Sequence, residues 1–202
     1  MDRTPVALAG LPAALQWTGT PDSSATVTSA GLQMTVSATT DLFCDPRGQP
    51  PVLNAPRLLF RPDRHFTLSA HVTVAFQATY DAGVLLIYQH ETAWAKLCCE
   101  YSPQHQPMIV SVVTNGRSDD ANAVVLDQGR AFLRVTGLGD AFAFHYSLDG
   151  STWQLVRYFA LPQPDHVQVG FSVQAPTGSG CQADFAHIHY VAASVSDIRS
   201  GV

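Results

Sequence analysis

The stretch that decides the fold is residues 66–76, which read Phe-Thr-Leu-Ser-Ala-His-Val-Thr-Val-Ala-Phe. Apolar residues occupy every second position from Phe66 to Phe76, and Thr, Ser or His stands at most positions between them. Successive side chains of a β-strand point to opposite faces of its sheet. The pattern therefore predicts a strand with one face in a core, whereas helical periodicity is almost absent from the chain.

The same alternation recurs through most of the chain and predicts nine further strands. They cover residues 31–37, 82–89, 94–101, 108–114, 130–136, 141–148, 153–160, 166–174 and 183–191. Turn sequences such as Asn115-Gly116 and Asp149-Gly150 separate them, because these residues adopt the backbone angles of tight hairpins. Many short strands without intervening helices exclude a parallel α/β layout. We expect an all-β fold, a two-sheet antiparallel β-sandwich.

The length of 202 residues suits one domain spanning 1–202, with a core of about 10–192. The stretch from Pro46 to Pro62 is rich in Pro, but it comes too early to divide the chain. It is expected to be a long loop that crosses one end of the sandwich.

Composition excludes several classes of protein. A net charge of −5 provides no basic field for nucleic acid or anionic lipid. The start, Met1 to Pro5, lacks the basic and apolar regions of a signal peptide, and no stretch approaches the roughly 20 apolar residues of a membrane helix. Four cysteines without CxxC spacing predict reduced thiols in a cytoplasmic protein.

The hairpin from Asp81 to Tyr101 carries the clearest functional signal. If Glu91 and Thr92 form a two-residue turn, His90 pairs with Ala93, and one face combines aromatic, basic, thiol and acidic side chains. On that face the predicted pairs are Gln89 with Trp94, Ile87 with Lys96, Leu85 with Cys98 and Gly83 with Glu100.

Lys96 is the only lysine, and Glu100 is one of two glutamates. Four residues along a strand span about 13 Å, so the two cannot pair directly and could bracket a ligand. The alternative is that each has a partner on a neighbouring strand, such as Arg134 or an Asp. Trp94 can stack on the apolar face of a sugar, although packing is the alternative role for its ring.

Other candidate sites are weaker. His187 and His189 share one predicted face and can chelate a metal. A third ligand such as His145 or Asp184 would have to join them, but the spacing does not require one and Asp184 points to the other face. Asp119-Asp120 could bind a cation or sugar hydroxyls, or form a solvated turn. Nucleophile motifs are absent. We therefore predict no metal, no cofactor and no catalytic residues.

Several stretches of the sequence together form a wider pattern. They are Thr40-Asp41-Leu42-Phe43, Asp45-Pro46, Asn54-Ala55-Pro56, residues 82–89, Trp94-Ala95-Lys96-Leu97 with Glu100-Tyr101, residues 112–116, residues 145–150 with Trp153, and Val169-Gly170-Phe171-Ser172 with residues 175–178. This pattern resembles an uncharacterised family of the concanavalin A-like lectin/glucanase superfamily whose fungal members carry the label "regulation of enolase". The resemblance covers about residues 10–192.

The resemblance implies a concanavalin A-like jelly roll of two curved sheets, and relatives in the wider superfamily bind or cleave glycans on the concave face. The ExDxE strand of laminarinase-type glucanases is absent here, so their chemistry is not carried over.

We therefore expect a non-catalytic binding protein for a carbohydrate or similar polyhydroxylated ligand on the concave sheet. The candidate contacts are Asn54, Gln89, Trp94, Lys96, Glu100, Asn115 and His145. Trp94 would stack, Lys96 and Asn54 would donate, and Glu100 would accept from hydroxyls. One alternative is a glycan-active hydrolase or lyase, with Lys96 or His145 as base and Glu100 as acid. Another is a protein-interaction module that regulates a metabolic enzyme, which a groove filled by loop 44–62 would favour.

Overall fold

The computed structural model describes residues 3–20 and 22–202, which form sixteen β-strands and one short 3-10 helix, Pro164–His166. The strands are β1 (Gln16–Thr18), β2 (Ser23–Val27), β3 (Gly31–Ser37), β4 (Leu42–Phe43), β5 (Val52–Leu53), β6 (Arg57–Phe60), β7 (His65–Ala75), β8 (Ala82–His90), β9 (Ala93–Tyr101), β10 (Pro107–Asn115), β11 (Arg117–Val125), β12 (Arg130–Leu138), β13 (Phe142–Ser147), β14 (Gln154–Phe159), β15 (Gln168–Gln174) and β16 (Gly180–Val191). No helix of the described residues is long and apolar enough to cross a membrane.

Two seven-stranded antiparallel sheets form the sandwich. The first sheet has the order β1-β6-β15-β8-β9-β10-β11, and the second sheet has the order β14-β13-β12-β7-β16-β3-β2. β4 and β5 pair separately as a two-stranded ribbon. The predicted jelly-roll-like β-sandwich is therefore confirmed.

The deciding stretch of sequence forms β7 at the centre of the second sheet, between β12 and β16. Its alternate apolar residues, from Phe66 to Val74, are buried in the core between the sheets. On its other face Thr67 donates a hydrogen bond to the Ala193 carbonyl, 2.8 Å away. Period-two alternation thus separates the core face of this strand from the outer face, as predicted.

A second cluster of apolar side chains covers the outer face of the first sheet, the face turned away from the second sheet. Residues 40–56, here called the covering segment, contribute Leu42, Cys44 and Ala55 to it. Thr40 donates its backbone N–H to Ala175, and Cys44 exchanges hydrogen bonds with Ser118. Residues 46–62 are therefore not a loop across one end, since they include β5 and β6, and β6 pairs within the first sheet between β1 and β15.

The β8–β9 hairpin turns where predicted, but its register differs from the prediction by one residue. Gln89 forms a bulge between Tyr88 and His90, so Leu86 rather than Ile87 lies opposite Lys96. The slip turns Ile87, Leu85 and Gly83 toward the core side of the sheet. The faces of β9 are unaffected, because alternation within one strand does not depend on its partner. Cys99 accordingly packs in the core between the sheets and Cys98 in the outer cluster.

Candidate functional site

A cavity of about 250 Å³ lies between the outer face of the first sheet and the covering segment. We call it the Lys96 cavity. Its lining residues are Asp41, Phe43, Tyr80, Lys96, Glu100, Val112, Asp120 and Gln174. Strands β9, β10, β11 and β15 supply five of them, and the remaining three come from the covering segment and the loop before β8. The sheet register brings Lys96, Val112 and Asp120 into one row on the same face.

Lys96 is held in place by two oxygen atoms. Its Nζ lies 3.2 Å from Asp41 Oδ1 and donates to Gln174 Oε1 at 2.9 Å. Gln174 is itself fixed, because its Nε2 donates to the Tyr80 carbonyl at 3.0 Å. Burial is the largest influence on the pKa of Lys96 and acts to lower it. Nearby acidic groups, led by the Asp41 carboxylate, together outweigh burial, so the pKa is raised and the ammonium stays charged. Lys96 thus pairs with an Asp, but this Asp lies in the covering segment and not on a neighbouring strand as the alternative had it.

Glu100 is 9% exposed, and no described residue forms a hydrogen bond with its carboxyl group. Burial raises the pKa of Glu100 to about 8, with the Lys96 ammonium opposing that rise only in part. At neutral pH the group is therefore mostly a neutral acid, which can both donate and accept. The charge of the cavity comes mainly from Lys96, Asp41 and Asp120.

Asp120 is exposed and marks the side of the Lys96 cavity that is open to solvent. Partial desolvation raises the pKa of Asp120, and the Lys96 ammonium opposes that rise. The preceding residue, Asp119, points the other way and pairs with Arg157 at 2.8 Å. The Asp119-Asp120 pair is therefore part of strand β11, not a solvated turn, and only Asp120 faces the cavity.

Two aromatic residues complete the wall. Phe43 comes from β4, and Tyr80 is 41% exposed with a φ angle of 70°, which is uncommon for a bulky residue. The turn at Tyr80 is stabilised by the buried Asp81, whose Oδ2 accepts from the backbone N–H groups of Gln77 and Ala78. Strained backbone of this kind concentrates at ligand sites.

Trp94 does not line the cavity. Its side chain is fully buried in the outer cluster, and its indole Nε1 donates to the Glu91 carbonyl at 3.2 Å. Both faces of the ring are taken up by packing, so the structure assigns it the packing role that was the alternative to sugar stacking. The Lys96 Nζ lies 5.9 Å from the centre of the ring, which makes Trp94 a neighbour of the cavity rather than part of it.

Three other predicted contacts also lie outside the cavity. Asn54 is exposed and organises the covering segment, since it accepts from the Asp41 N–H and donates to the Thr39 carbonyl. Gln89 sits in the bulge and donates to the Gln163 carbonyl. Asn115 lies in the β10–β11 turn, opposite Ala93 and Arg117. The structure brings together only Lys96 and Glu100 of the seven predicted contacts.

His145 was expected to reach the same surface, and that expectation is wrong. It lies on β13 of the second sheet, where it projects away from the core as predicted but onto the outer face of the opposite layer. It is fully buried there, with its Nε2 2.8 Å from the Ile198 carbonyl. His145 therefore does not lie beside Glu100, and the raised pKa of Lys96 makes its ammonium a poor base.

His187 and His189 share the outer face of the second sheet, but the reasoning about Asp184 was wrong. A bulge between Ala186 and His189 reverses the alternation, so Asp184 lies on the same face as the histidines. Its carboxylate accepts from Gln33 and Gln182 side chains. Among the residues that the structure describes, no group of three His, Cys, Asp or Glu side chains could hold a metal ion.

Five polar or aromatic residues of the cavity are not among the seven predicted contacts: Asp41, Phe43, Tyr80, Asp120 and Gln174. Asp41 belongs to the stretch Thr40-Asp41-Leu42-Phe43, which carries part of the family resemblance, and Asp120 belongs to a noted acidic pair. No pattern in the sequence indicates Tyr80 or Gln174, because their approach to Lys96 depends on the order of strands.

The chain is similar to proteins whose fold or sequence has been described. Over 122 residues it is 34% identical to "Regulation of enolase protein 1" of Saccharomyces cerevisiae, a match that covers 60% of this chain and 61% of that protein. The match thus spans about three fifths of the length of this curated relative. A crystal structure of a functionally unknown protein from Saccharomyces cerevisiae superposes with a TM-score of 0.81 at 25% identity, covering 90% of this chain and 97% of the other.

More distant structures share the fold alone. The carbohydrate-binding module CBM66 of Bacillus subtilis has a TM-score of 0.52 at 16% identity, covering 86% of this chain and 94% of the module. The GH43 protein BlXynB of Bacillus licheniformis has a TM-score of 0.61 at 17% identity, covering 79% of this chain and 33% of the enzyme. Residues 17–192 match the model of a family described as protein of unknown function, DUF1349. The chain therefore belongs to the DUF1349 family, which confirms the resemblance to the "regulation of enolase" proteins.

Proposed function

We propose that this protein is a non-catalytic binding domain for a single sugar ring or a similarly small polyhydroxylated molecule, held in the Lys96 cavity. The observation that carries the proposal is a small cavity, open to solvent on one side, that is lined by one ammonium, three carboxyl groups and an amide, with two aromatic rings. Its volume of about 250 Å³ lies just below the range of roughly 300–1,000 Å³ typical of pockets for drug-sized ligands. A monosaccharide suits that size better than an extended glycan.

The donors and acceptors match the needs of hydroxyl groups, each of which donates one hydrogen bond and accepts others. The Lys96 ammonium has a third proton available beyond those given to Asp41 and Gln174. Neutral Glu100 adds a second donor, and the Asp120 carboxylate accepts. Phe43 and Tyr80 offer apolar surface to the C–H face of a ring.

Binding should be tested by calorimetric and NMR titration of the whole chain with common hexoses, pentoses and inositol. The variant Asp120→Asn removes an exposed charge that has no ion-pair partner among the described residues, so it should fold normally. Loss of a hydrogen bond to a charged group costs roughly 1.5–3 kcal/mol, so affinity should fall about tenfold or more.

The matched control is Asp119→Asn, one residue away on the opposite face of β11. It breaks only an exposed ion pair with Arg157 and should leave sugar affinity unchanged. Absence of saturable binding for every sugar at millimolar concentration would contradict the proposal, as would equal losses in the two variants.

Neutral Glu100 favours a second candidate function, an acid-catalysed reaction on a glycan. A buried carboxylic acid with a raised pKa beside a carboxylate is the arrangement that glycoside hydrolysis uses. Release of nitrophenol from a panel of nitrophenyl glycosides, abolished in Glu100→Gln and retained in Glu91→Gln, would support it. If the unchanged protein binds a sugar but does not cleave its nitrophenyl glycoside, the catalytic candidate is contradicted and binding remains the proposed function.

The name of the yeast relative suggests a protein partner as a further alternative, and affinity capture with glycolytic enzymes as defined prey would test it. We also propose a cytoplasmic location, since the four cysteines Cys44, Cys98, Cys99 and Cys181 are all free and buried.

A further inference from the structure

We propose that the outer face of the second sheet holds a separate site for a small oxyanion, a carboxylate or phosphate group, with Arg134 as its anchor. A cavity of about 460 Å³ opens on this face, and we call it the Arg134 cavity. The residues of its lining that carry the argument are Ser69, Arg134, Trp153, His187, His189 and Gly201. It lies on the opposite layer from the Lys96 cavity and does not depend on the function proposed there.

Arg134 is a buried cation without a carboxylate partner among the described residues. It is 7% exposed, and its one hydrogen bond runs from Nη2 to the Gly201 carbonyl at 2.6 Å. Its Nε is buried without any partner, and the other terminal nitrogen, Nη1, also forms no hydrogen bond within the described part of the chain. An unpaired buried charge is costly in a folded protein. A bound anion would supply the missing acceptor.

The guanidinium is preorganised for such a ligand. Its carbon lies 4.0 Å from the centre of the Trp153 ring, a cation–π contact that helps to hold the group in place. A guanidinium binds carboxylate or phosphate through two parallel hydrogen bonds from neighbouring N–H groups, here Nη1 and the second N–H of Nη2, and a lysine ammonium cannot reproduce this pair. The burial that fixes Arg134 also lowers its pKa to about 10, which still leaves it charged at neutral pH.

The remaining lining matches an anion rather than a cation or a neutral sugar. None of the residues that line the Arg134 cavity is Asp or Glu, and the carboxylate of Val202, which also lines it, accepts from the Asp197 N–H and the Ser196 hydroxyl rather than from Arg134. His187 and His189 are exposed at its wall and add ring N–H donors. The Ser69 hydroxyl also lines the cavity, and it forms no hydrogen bond with the rest of the described chain. Each polar side chain that faces the cavity and has no hydrogen-bond acceptor within the described protein can therefore donate to a bound anion.

Residues 195–202 close one side of the cavity. Gly201 fits into a slot so narrow that an added Cβ would collide with Arg134 Nη2 and lie 2.7 Å from Trp153 Cβ. Its carbonyl accepts one N–H of Nη2, and this leaves the Nη1 end of the guanidinium for the ligand. The packing of Gly201 thus orients Arg134 toward the cavity.

The test is an NMR titration of the full chain at low salt, first with inorganic phosphate and then with acetate, and with glucose as the neutral comparison. The three tryptophans lie in different regions, so their indole signals report separately on the two cavities. The Trp153 indole and the Gly201 amide should shift saturably with at least one anion but not with glucose. The Trp94 indole should not shift with the anion. The anion that binds more tightly shows whether the site prefers a phosphate or a carboxylate group.

Arg134→Gln should weaken anion binding about tenfold or more, because it removes a charge-assisted pair of hydrogen bonds. Arg134→Lys should recover only part of the affinity. The matched control is Arg130→Gln, since Arg130 lies on the same strand but outside the Arg134 cavity.

The proposal is overturned if the Trp153 signal does not saturate with either anion, or if Arg130→Gln weakens binding as much as Arg134→Gln. Should Arg134→Gln fail to fold, the double variant Ser69→Ala with His189→Gln decides. Both residues lie at the cavity wall, and a several-fold loss of affinity in this variant supports the site, whereas unchanged affinity overturns it.

Discussion

Lys96 Nζ and Asp41 Oδ1 lie 3.2 Å apart, although 55 residues separate them in the chain. The pair joins the centre of the first sheet to the covering segment and closes one wall of the Lys96 cavity. The ammonium side chain is 4% exposed and the carboxylate side chain is 22% exposed, so the two partners differ in access to water. This difference in exposure determines how much stability the protein loses when either partner is replaced.

Asp41→Asn should destabilise the protein more than Lys96→Met. The first change leaves an ammonium buried without its counter-charge, which costs about 3 kcal/mol in comparable buried pairs. The second change leaves a carboxylate that still reaches solvent and replaces the ammonium with an apolar chain of similar length. Urea unfolding of the two variants measures the difference in the free energy of unfolding.

Asp140→Asn is the control for this comparison, because Asp140 pairs with Arg64 while 84% exposed. Exposed pairs contribute about 0–1 kcal/mol, so the control should unfold near the midpoint of the unchanged protein. Equal losses for Asp41→Asn and Asp140→Asn would show that the buried pair does not fasten the covering segment.

Glu100 should make the protein less stable as the pH rises from about 4.5 to about 8. Its pKa is about 8 in the folded protein against an ordinary value of 4.5, so the folded state keeps a proton that the unfolded state has released. The stability that this proton contributes is fully present below about pH 4.5 and is lost as pH rises through about 8. Between about pH 6 and pH 8 the loss should amount to roughly 2–3 kcal/mol.

Glu100→Gln replaces the neutral acid with a neutral amide and should flatten this part of the stability profile. Other groups titrate equally in both proteins, so the difference between the two profiles isolates Glu100. Glu91→Gln is the control, since Glu91 is the second glutamate and lies in an exposed turn. Parallel profiles for the unchanged protein and Glu100→Gln would place the pKa of Glu100 at its ordinary value.

The fold could be predicted well where one face of a strand is buried and the other is polar. β7 shows this pattern in its purest form. β6 lacks it because both faces are buried, one against the core and one beneath the outer cluster. β11 lacks it for the opposite reason, since Arg117-Ser118-Asp119-Asp120 and the following residues are mostly exposed on an edge strand. Neither strand carries a local signal.

The site was less predictable because its parts come from distant segments. Rarity in the composition singles out Lys96 and Glu100, and the two side chains line the same cavity. Trp94 lies on the same face of β9 as Lys96 and Glu100, but the covering segment buries it. The local sequence does not reveal which distant segment packs on a strand. His145 has the right polarity but belongs to the other sheet, and only the strand order decides between the layers.

Gly201→Ala should detach residues 195–202 from the second sheet. The position has a φ angle of +73°, and an added Cβ would collide with Arg134 Nη2, so both the backbone and the neighbour resist a side chain. We expect a loss of about 2–3 kcal/mol. Hydrogen exchange at the Gly201 amide, which is bonded to the Asp197 carbonyl at 2.8 Å, should accelerate.

Gly48→Ala separates the cost of backbone strain from the cost of the steric collision at Gly201. Gly48 has a similar φ angle of +84°, but a Cβ there would have nothing within 4 Å. Only backbone strain remains, which costs about 1 kcal/mol. If the two variants lose the same stability, the slot between Arg134 and Trp153 accommodates a methyl group and the close fit has no energetic role.

Gly83→Ala should destabilise the sandwich by overpacking it. The bulge at Gln89 turns Gly83 toward the core, where an added Cβ would meet Val72 Cγ1 at 2.7 Å and Ala183 Cβ at 2.9 Å. Such overpacking costs about 1–3 kcal/mol in a well-packed interior.

Val72→Ala removes one of the clashing methyl groups, so the double variant should be more stable than the sum of the single losses predicts, by about 1 kcal/mol. Urea unfolding of the four proteins completes the cycle. Strictly additive losses would mean that Gly83 does not face β7, and the register with Leu86 opposite Lys96 would then be wrong.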